Sequence, residues 1–313
     1  MNGNDYLGMW YRARARYGVD DRIHFAVIEP DDGGRFDFPV RHREHDGIGG
    51  LFHLLRAWNV PQPAMPRSRQ TGAPPPWRWL RRAPVETVPA PRWRDFSGAG
   101  DGGVQSVWLD AEPTAALRRR ARHAGVSLNT LLLLALNQAV AATLLQAPVA
   151  GRWLYPVNMR GAVIRDRDDM NLSSGFYLTV APEDTPARLD RRVRQALADN
   201  RHWLYWYAAQ VGRLVGQRGV DWLCGRFLRG APHLGSFTSL GEWRLDLTQA
   251  GFSPRALVTL CGPGSPNHPV SNGAMIVNGC LTLSLKLDPV LAADAAVTRT
   301  CLEHWRAGLE AES

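Results

Sequence analysis

One stretch of this chain concentrates residues that could do chemistry: Phe38-Pro39-Val40-Arg41-His42-Arg43-Glu44-His45-Asp46-Gly47-Ile48-Gly49-Gly50. A strand-like segment delivers His42 to its end, an aspartate and a glycine follow at positions 46 and 47, and further glycines permit a tight turn into a helix. A neutral imidazole titrates near pH 7 and can take a proton from an attacking hydroxyl, amine or thiol. The nearby carboxylate of Asp46 can anchor the turn by pairing with an arginine elsewhere. His42, His45 and His53 match no zinc spacing, and arginines flank the first of them, so no metal site is expected.

Other chemistries are excluded by composition. Of the 37 basic side chains, 36 are arginines and only Lys286 is a lysine. Lys286 is followed by Leu287, so no Walker A phosphate loop exists, and a Schiff-base enzyme would depend on a lysine inside the apolar run Leu281 to Leu287. No GxSxG elbow is present. Gly98, Gly100 and Gly103 match a dinucleotide loop by count but follow no strand. The net charge of +8 is spread along all 313 residues without a basic tail or finger motif, which argues against nucleic acid and leaves attraction of a phosphate-bearing or acidic partner.

Cys224, Cys261, Cys280 and Cys301 are widely spaced and read as buried thiols of a reducing compartment. Met1 to Tyr17 carries no secretory apolar segment, and the most apolar run, Leu128 to Leu145, is interrupted by Asn129, Asn137 and Gln138. A cytoplasmic protein without a membrane span is expected.

The elements that must position His42 follow from periodicity. Arg22 to Glu29 and Arg35 to His42 read as strands joined by Pro30-Asp31-Asp32-Gly33-Gly34, and Leu51, Leu54, Leu55 and Trp58 give helical spacing after Asp46. Nine of the 22 prolines lie between Pro61 and Pro91, which predicts an extended connector interleaved with Trp77, Trp79 and Trp93. An α/β pattern follows: a strand over Val104 to Leu109, a helix over Pro113 to Ala124, and a long helix capped by Ser127. Strands are expected at Arg152 to Asn158, Phe176 to Val180, Gly235 to Thr238, Ala256 to Cys261, Ala274 to Val277 and Leu281 to Leu287. One or two helices are expected over Arg188 to Leu214, and a last one over Ala293 to Leu309. Asp166, Asp168 and Asp169 read as a solvated loop before Asn171, and His202-Trp203-Leu204-Tyr205-Trp206-Tyr207 as core or as the wall of an apolar tunnel.

The segment at His42 resembles the HHxxxDG motif of the chloramphenicol acetyltransferase-like, CoA-dependent acyltransferase superfamily, which includes condensation domains of nonribosomal peptide synthetases and alcohol and wax-ester acyltransferases. His42 matches the second, catalytic histidine, Asp46 and Gly47 the Asp-Gly, and Arg41 replaces the first histidine. Gly125-Val126-Ser127-Leu128-Asn129-Thr130 is similar to the start of the family's second lobe, and Asn278-Gly279 through Asp288 to its late strand. Tyr155-Pro156-Val157-Asn158-Met159-Arg160 is similar to the strand whose arginine pairs with the motif aspartate, so the resemblance implies a structural Asp46–Arg160 pair. Ser236-Phe237-Thr238-Ser239-Leu240-Gly241 resembles the family's Ser-Asn-x-Gly strand, with Ser239 at the asparagine position, implying Thr238 and Ser239 as oxyanion and tunnel residues.

The resemblance implies an α/β fold, a two-layer sandwich of two chloramphenicol acetyltransferase-like lobes. The first is shortened: 1–60 is a partial lobe with the histidine motif, 61–103 the Pro/Arg/Trp-rich connector and 104–313 the second lobe. Family members usually place the motif much further along, so either the family is minimised here, or an oligomer or partner subunit supplies the absent wall, or the start codon is assigned too late. The implied activity is acyl transfer in bacterial specialised metabolism, with His42 as general base. The donor is acyl-CoA or a phosphopantetheinyl carrier protein as co-substrate, with no bound cofactor, and the acceptor is a small-molecule hydroxyl or amine. A non-catalytic, condensation-domain-like partner subunit or ligand-binding scaffold is the alternative.

Overall fold

A computed structural model describes residues 6–68, 73–74, 88–98, 102–163, 165–230 and 232–310. Within the connector over 61–103, residues 69–72, 75–87 and 99–101, with Trp77 and Trp79, lie outside these residues. Its described parts hold no helix, and Trp93 packs against the main core and makes an isolated bridge to Leu145.

Among the described residues, eight α-helices and two sheets form a mixed α/β fold. In the smaller sheet, β1 (Arg22–Ile28) lies between β2 (Arg35–Arg41) and β8 (Leu257–Cys261), antiparallel to both. Strand β1 is therefore central and nearly continuously buried, whereas β2 is an edge that tolerates Pro39. Helix α2 (Gly47–Ala57) turns Leu51, Leu54 and Leu55 into the core this sheet shares with Trp243, Leu257 and Val277. Early and late parts of the chain thus build one core.

The larger sheet runs β3 (Gln105–Leu109), β10 (Cys280–Leu287), β9 (Val270–Val277), β6 (Gly235–Ser236), β4 (Gly151–Asn158) and β5 (Ser173–Val180), with β7 (Ser239–Trp243) also pairing β9. Strands β6 and β7 are parallel to β9, while β10 and β3 continue antiparallel. All eight residues of β9 are buried. The two sheets meet where β8 crosses β9. There the Leu260 carbonyl occupies the space a side chain at Gly273 would need, so only glycine permits the approach.

Helices α3 (Ala111–His123), α4 (Leu128–Thr143) and α8 (Ala295–Glu310) pack with the larger sheet. Ser127 caps α4, its hydroxyl accepting the Thr130 N–H. Helix α4 is apolar nearly all round because it is a core helix. Its interior Asn137 accepts the Trp153 indole N–H at 3.0 Å, while Gln138 faces solvent. Among the described residues no single helix is long and apolar enough to cross a membrane.

Two helices follow β5 in the expected stretch, α5 (Pro186–Ala198) and α6 (Arg201–Gln210), and a third, α7 (Gly212–Leu228), broken at Gly216, begins at its end. Helix α1 (Tyr6–Arg16), not anticipated from the sequence, packs against α7. Met9, Trp10 and Ala13 meet Val220, Cys224 and Leu228 there. Trp10 also donates its indole N–H to the Ala209 carbonyl at 2.8 Å. All four cysteines are free thiols, and Lys286 in β10 pairs with Asp20 at 3.5 Å.

Candidate active site

His42 follows directly on β2. Its backbone N–H donates to the Asp21 carbonyl at 2.7 Å, and the chain turns at once, with Glu44 and His45 N–H groups donating to the Arg41 carbonyl. The imidazole Nδ1 lies 2.9 Å from the His45 carbonyl. A carbonyl can only accept, so in the neutral ring Nδ1 carries the proton and Nε2 keeps its lone pair. Burial pushes the ring's pKa below its ordinary value. Among the described residues Nε2 has no protein hydrogen-bond partner, which leaves a neutral base with its lone pair uncommitted.

Asn171 and Tyr11 complete the setting of the histidine. The Asn171 amide donates to the His42 carbonyl at 2.7 Å and to the Tyr11 hydroxyl at 3.1 Å. The Tyr11 ring stands edge-on to the imidazole, 5.7 Å between centroids, and burial pushes its phenol up to about 12.

The turn is held from its other end by Asp46. This residue caps α2, with Oδ1 accepting the Gly49 N–H and Oδ2 the Leu172 N–H, both at 2.8 Å. Arg160 closes on both oxygens at 2.8 Å, a two-pronged pair between side chains exposed by only 1% and 5%. The remaining guanidinium donors reach the Asp168 and Met170 carbonyls and Asn158 Oδ1, so the 168–170 segment wraps the arginine. That segment approaches α2 so closely that the Asp169 carbonyl sits where a Gly49 side chain would begin. Asp169 itself is buried and paired with Arg56 and Arg167, which hold its carboxyl down at about 2. The solvated reading of this loop is therefore corrected at Asp169. Asp166 is exposed, as expected of a solvated loop, and half-buried Asp168 pairs with Arg67 at 3.1 Å.

His42, Thr238 and Ser239 line one cavity of about 380 Å³, together with Asp46, Gly47 and Arg160. Thr238 and Ser239 lie at the junction of β6 and β7. The Thr238 N–H is committed to Asn272 Oδ1 at 3.0 Å, and the Asn272 amide returns to the Ser236 carbonyl. The side-chain hydroxyls of Thr238 and Ser239 are thus the groups left to serve the cavity. A second cavity of about 330 Å³ shares Ser239 and Asn129 with the first and is bordered by Arg118 and Arg122, with Arg118 paired to Glu242.

The far wall of the main cavity carries a cluster that the sequence did not single out. The Tyr177 hydroxyl is 2.9 Å from His268 Nε2, and His268 Nδ1 is 3.1 Å from Asn267 Oδ1. The His233 ring lies 4.3 Å from that of Tyr177. Burial lowers His268 to about 3 and His233 to about 4, and it raises Tyr177, so all three stay neutral at pH 7. Of the aromatic run, Trp203 is core, while Tyr205 and Trp206 line the cavity. His45 and His53 stack at 4.7 Å. Among the described residues no group of three or more His, Cys, Asp or Glu is placed to hold a metal ion.

This arrangement of two sheets, with a histidine turn facing the β6–β7 junction, is the chloramphenicol acetyltransferase-like fold in its condensation-domain form. The chain aligns with the epimerization domain from the third module of tyrocidine synthetase B at 17% identity and a TM-score of 0.50, covering 98% of this chain and 76% of that one. It aligns with the first condensation domain of the calcium-dependent antibiotic synthetase, solved with a substrate analogue, at 17% identity and a TM-score of 0.51, covering 89% and 66%. The cyclization-docking bidomain of EpoB from Sorangium cellulosum aligns at 13% identity and a TM-score of 0.51, covering 88% and 59%. The chain thus spans between 59% and 76% of these three. No protein-family model and no curated protein sequence matches the chain.

Proposed function

We propose that the protein transfers an acyl group from a thioester, on CoA or on a phosphopantetheinyl carrier protein, to the hydroxyl or amine of a small molecule. The observation that carries this reading is the His42–His45 contact. With Nδ1–H given to a carbonyl, the lone pair of Nε2 stands at a cavity whose wall also presents the hydroxyls of Thr238 and Ser239.

In the proposed reaction the acceptor oxygen or nitrogen attacks the thioester carbonyl carbon as its proton passes to His42 Nε2. The carbonyl electron pair moves onto oxygen, and the Thr238 and Ser239 hydroxyls donate to that oxyanion. Collapse of the tetrahedral intermediate breaks the carbon–sulfur bond. The departing thiolate takes the proton back from His42, which returns the imidazole to its starting form. Asp46 and Arg160 take no part in the proton transfer. They hold the turn that aims the histidine.

The second cavity gives the thioester arm a route that meets the first at Ser239, with Arg118 and Arg122 suited to phosphate. The test is transfer from a panel of acyl-CoA thioesters and acyl carrier proteins by the purified chain. His42→Ala is expected to lower turnover by about 10²–10⁴-fold with the thermal transition unchanged. Unchanged turnover would sink the base role, and no transfer with any donor would favour a binding scaffold.

A further inference from the structure

Arg14 lines the main cavity from α1, three residues beyond Tyr11 and so on the same helix face. Its guanidinium lies 5.9 Å from the Tyr11 ring centroid, beside the ring that stands against His42. Among the described residues no carboxylate lies within ion-pair distance of Arg14. Its one hydrogen bond, to the Gly264 carbonyl, is long at 3.4 Å, and its Nε is buried without a partner. The other charged residues of the cavity wall, Asp46 and Arg160, neutralise one another. Arg14 is therefore the uncompensated charge among the described residues facing this space.

An arginine cannot shed its proton, and a half-buried guanidinium whose buried Nε has no partner is held at a cost unless something pairs with it. A planar guanidinium with free donors matches a carboxylate in two-pronged fashion. The cavity around it is otherwise neutral and aromatic: Tyr155, Tyr177, Tyr205, Trp206 and Phe237 contribute rings, and the nearby His268 is uncharged. Such walls suit an apolar or aromatic body.

We propose that Arg14 anchors a carboxylate of the small-molecule substrate, so that the cavity takes an aromatic or apolar hydroxy or amino acid and directs its hydroxyl or amine to His42. The last clause rests on the acyl-transfer reading. Recognition of the carboxylate does not.

The test is calorimetric titration of the whole protein, without any acyl donor, with 3-phenyllactate and with its neutral amide. The wild-type protein is expected to prefer the carboxylate by about tenfold or more. Arg14→Gln should remove that preference while leaving affinity for the amide unchanged, and Arg14→Lys should keep part of it. Circular dichroism and thermal unfolding report whether each variant is folded. If Arg14→Gln does not fold, the wild-type preference and its reduction in Arg14→Lys carry the test. Equal preference in the wild type and Arg14→Gln, or no binding of phenyllactate by the wild type at millimolar concentration, overturns the inference. Arg14-dependent binding without any acyl transfer sinks the acyl-transfer reading alone. Transfer indifferent to an acceptor's carboxylate sinks this inference alone.

Discussion

The two terminal nitrogens of Arg160 each donate to one oxygen of Asp46 at 2.8 Å, across 114 residues of chain and almost out of reach of water. Asp46 begins the helix behind the His42 turn, and Arg160 gathers the 168–170 segment around itself. One ion pair therefore fastens the histidine loop to the end of β4. A pair buried so fully is weak evidence of net stability, yet removing one partner strands the other charge.

Arg160→Met is accordingly expected to cost about 3–5 kcal/mol in urea unfolding, and Asp46→Leu a similar amount. The double variant should recover part of the loss because no stranded charge remains, although the α2 cap and the Leu172 contact stay lost. A cost below about 1 kcal/mol for Arg160→Met would be that of an exposed pair, not a buried one.

The pH profile of acyl transfer tests His42. Burial opposes its protonated form, so the neutral base persists below the ordinary midpoint of 6.5. The kcat/KM profile should therefore be flat at pH 7 and fall only as pH drops below that value. An acid limb centred above 6.5 would contradict the assigned setting of the ring.

Asn272, fully buried, stitches the β6–β7 junction through the Thr238 N–H and the Ser236 carbonyl. Asn272→Ala leaves the Thr238 N–H unpaired and takes one donor from the Ser236 carbonyl, at about 1–3 kcal/mol. It should lower kcat more than it raises KM, because the displaced hydroxyls of Thr238 and Ser239 matter most to the oxyanion. A change in KM alone would place this junction outside the reaction.

Among the described residues, both ring nitrogens of His202 are buried without hydrogen-bond partners, and burial pushes its pKa down to about 4. The unfolded chain therefore binds a proton that the folded chain refuses, and stability falls as pH drops from about 6.5 toward 4. His202→Leu should raise the urea midpoint, and by more at about pH 5 than at pH 7. His233 and His268 share the sign, so some acid sensitivity persists in the variant. An equal gain at both pH values would mean His202 is not held neutral.

Local signals in the sequence carried a long way. The order of strand, His42, turn and glycine-permitted helix was legible because side-chain period, caps and glycines act within a few residues. Observed β1, β2, α2 and α4 lie within one or two residues of their expected ends, and Ser127 caps as its position suggested. Helix α1 was missed because Leu7, Tyr11 and Arg14 are a mixed face that acquires meaning only against α7 and the cavity. Strand β7 was legible only at its start, through the resemblance over Ser239 to Gly241, because its parallel pairing with β9 is irregular and nonlocal.

What the sequence by itself determined is a histidine-bearing turn and the elements flanking it. Tertiary structure alone decided what faces that turn: the Tyr11–Asn171 support, the Asn272 clamp, the Tyr177–His268 wall and the unpaired Arg14. Each depends on segments brought together from distant parts of the chain. Burial, which sets the charge state of His42 and leaves Arg14 without a counter-ion, exists only once the sheets have met.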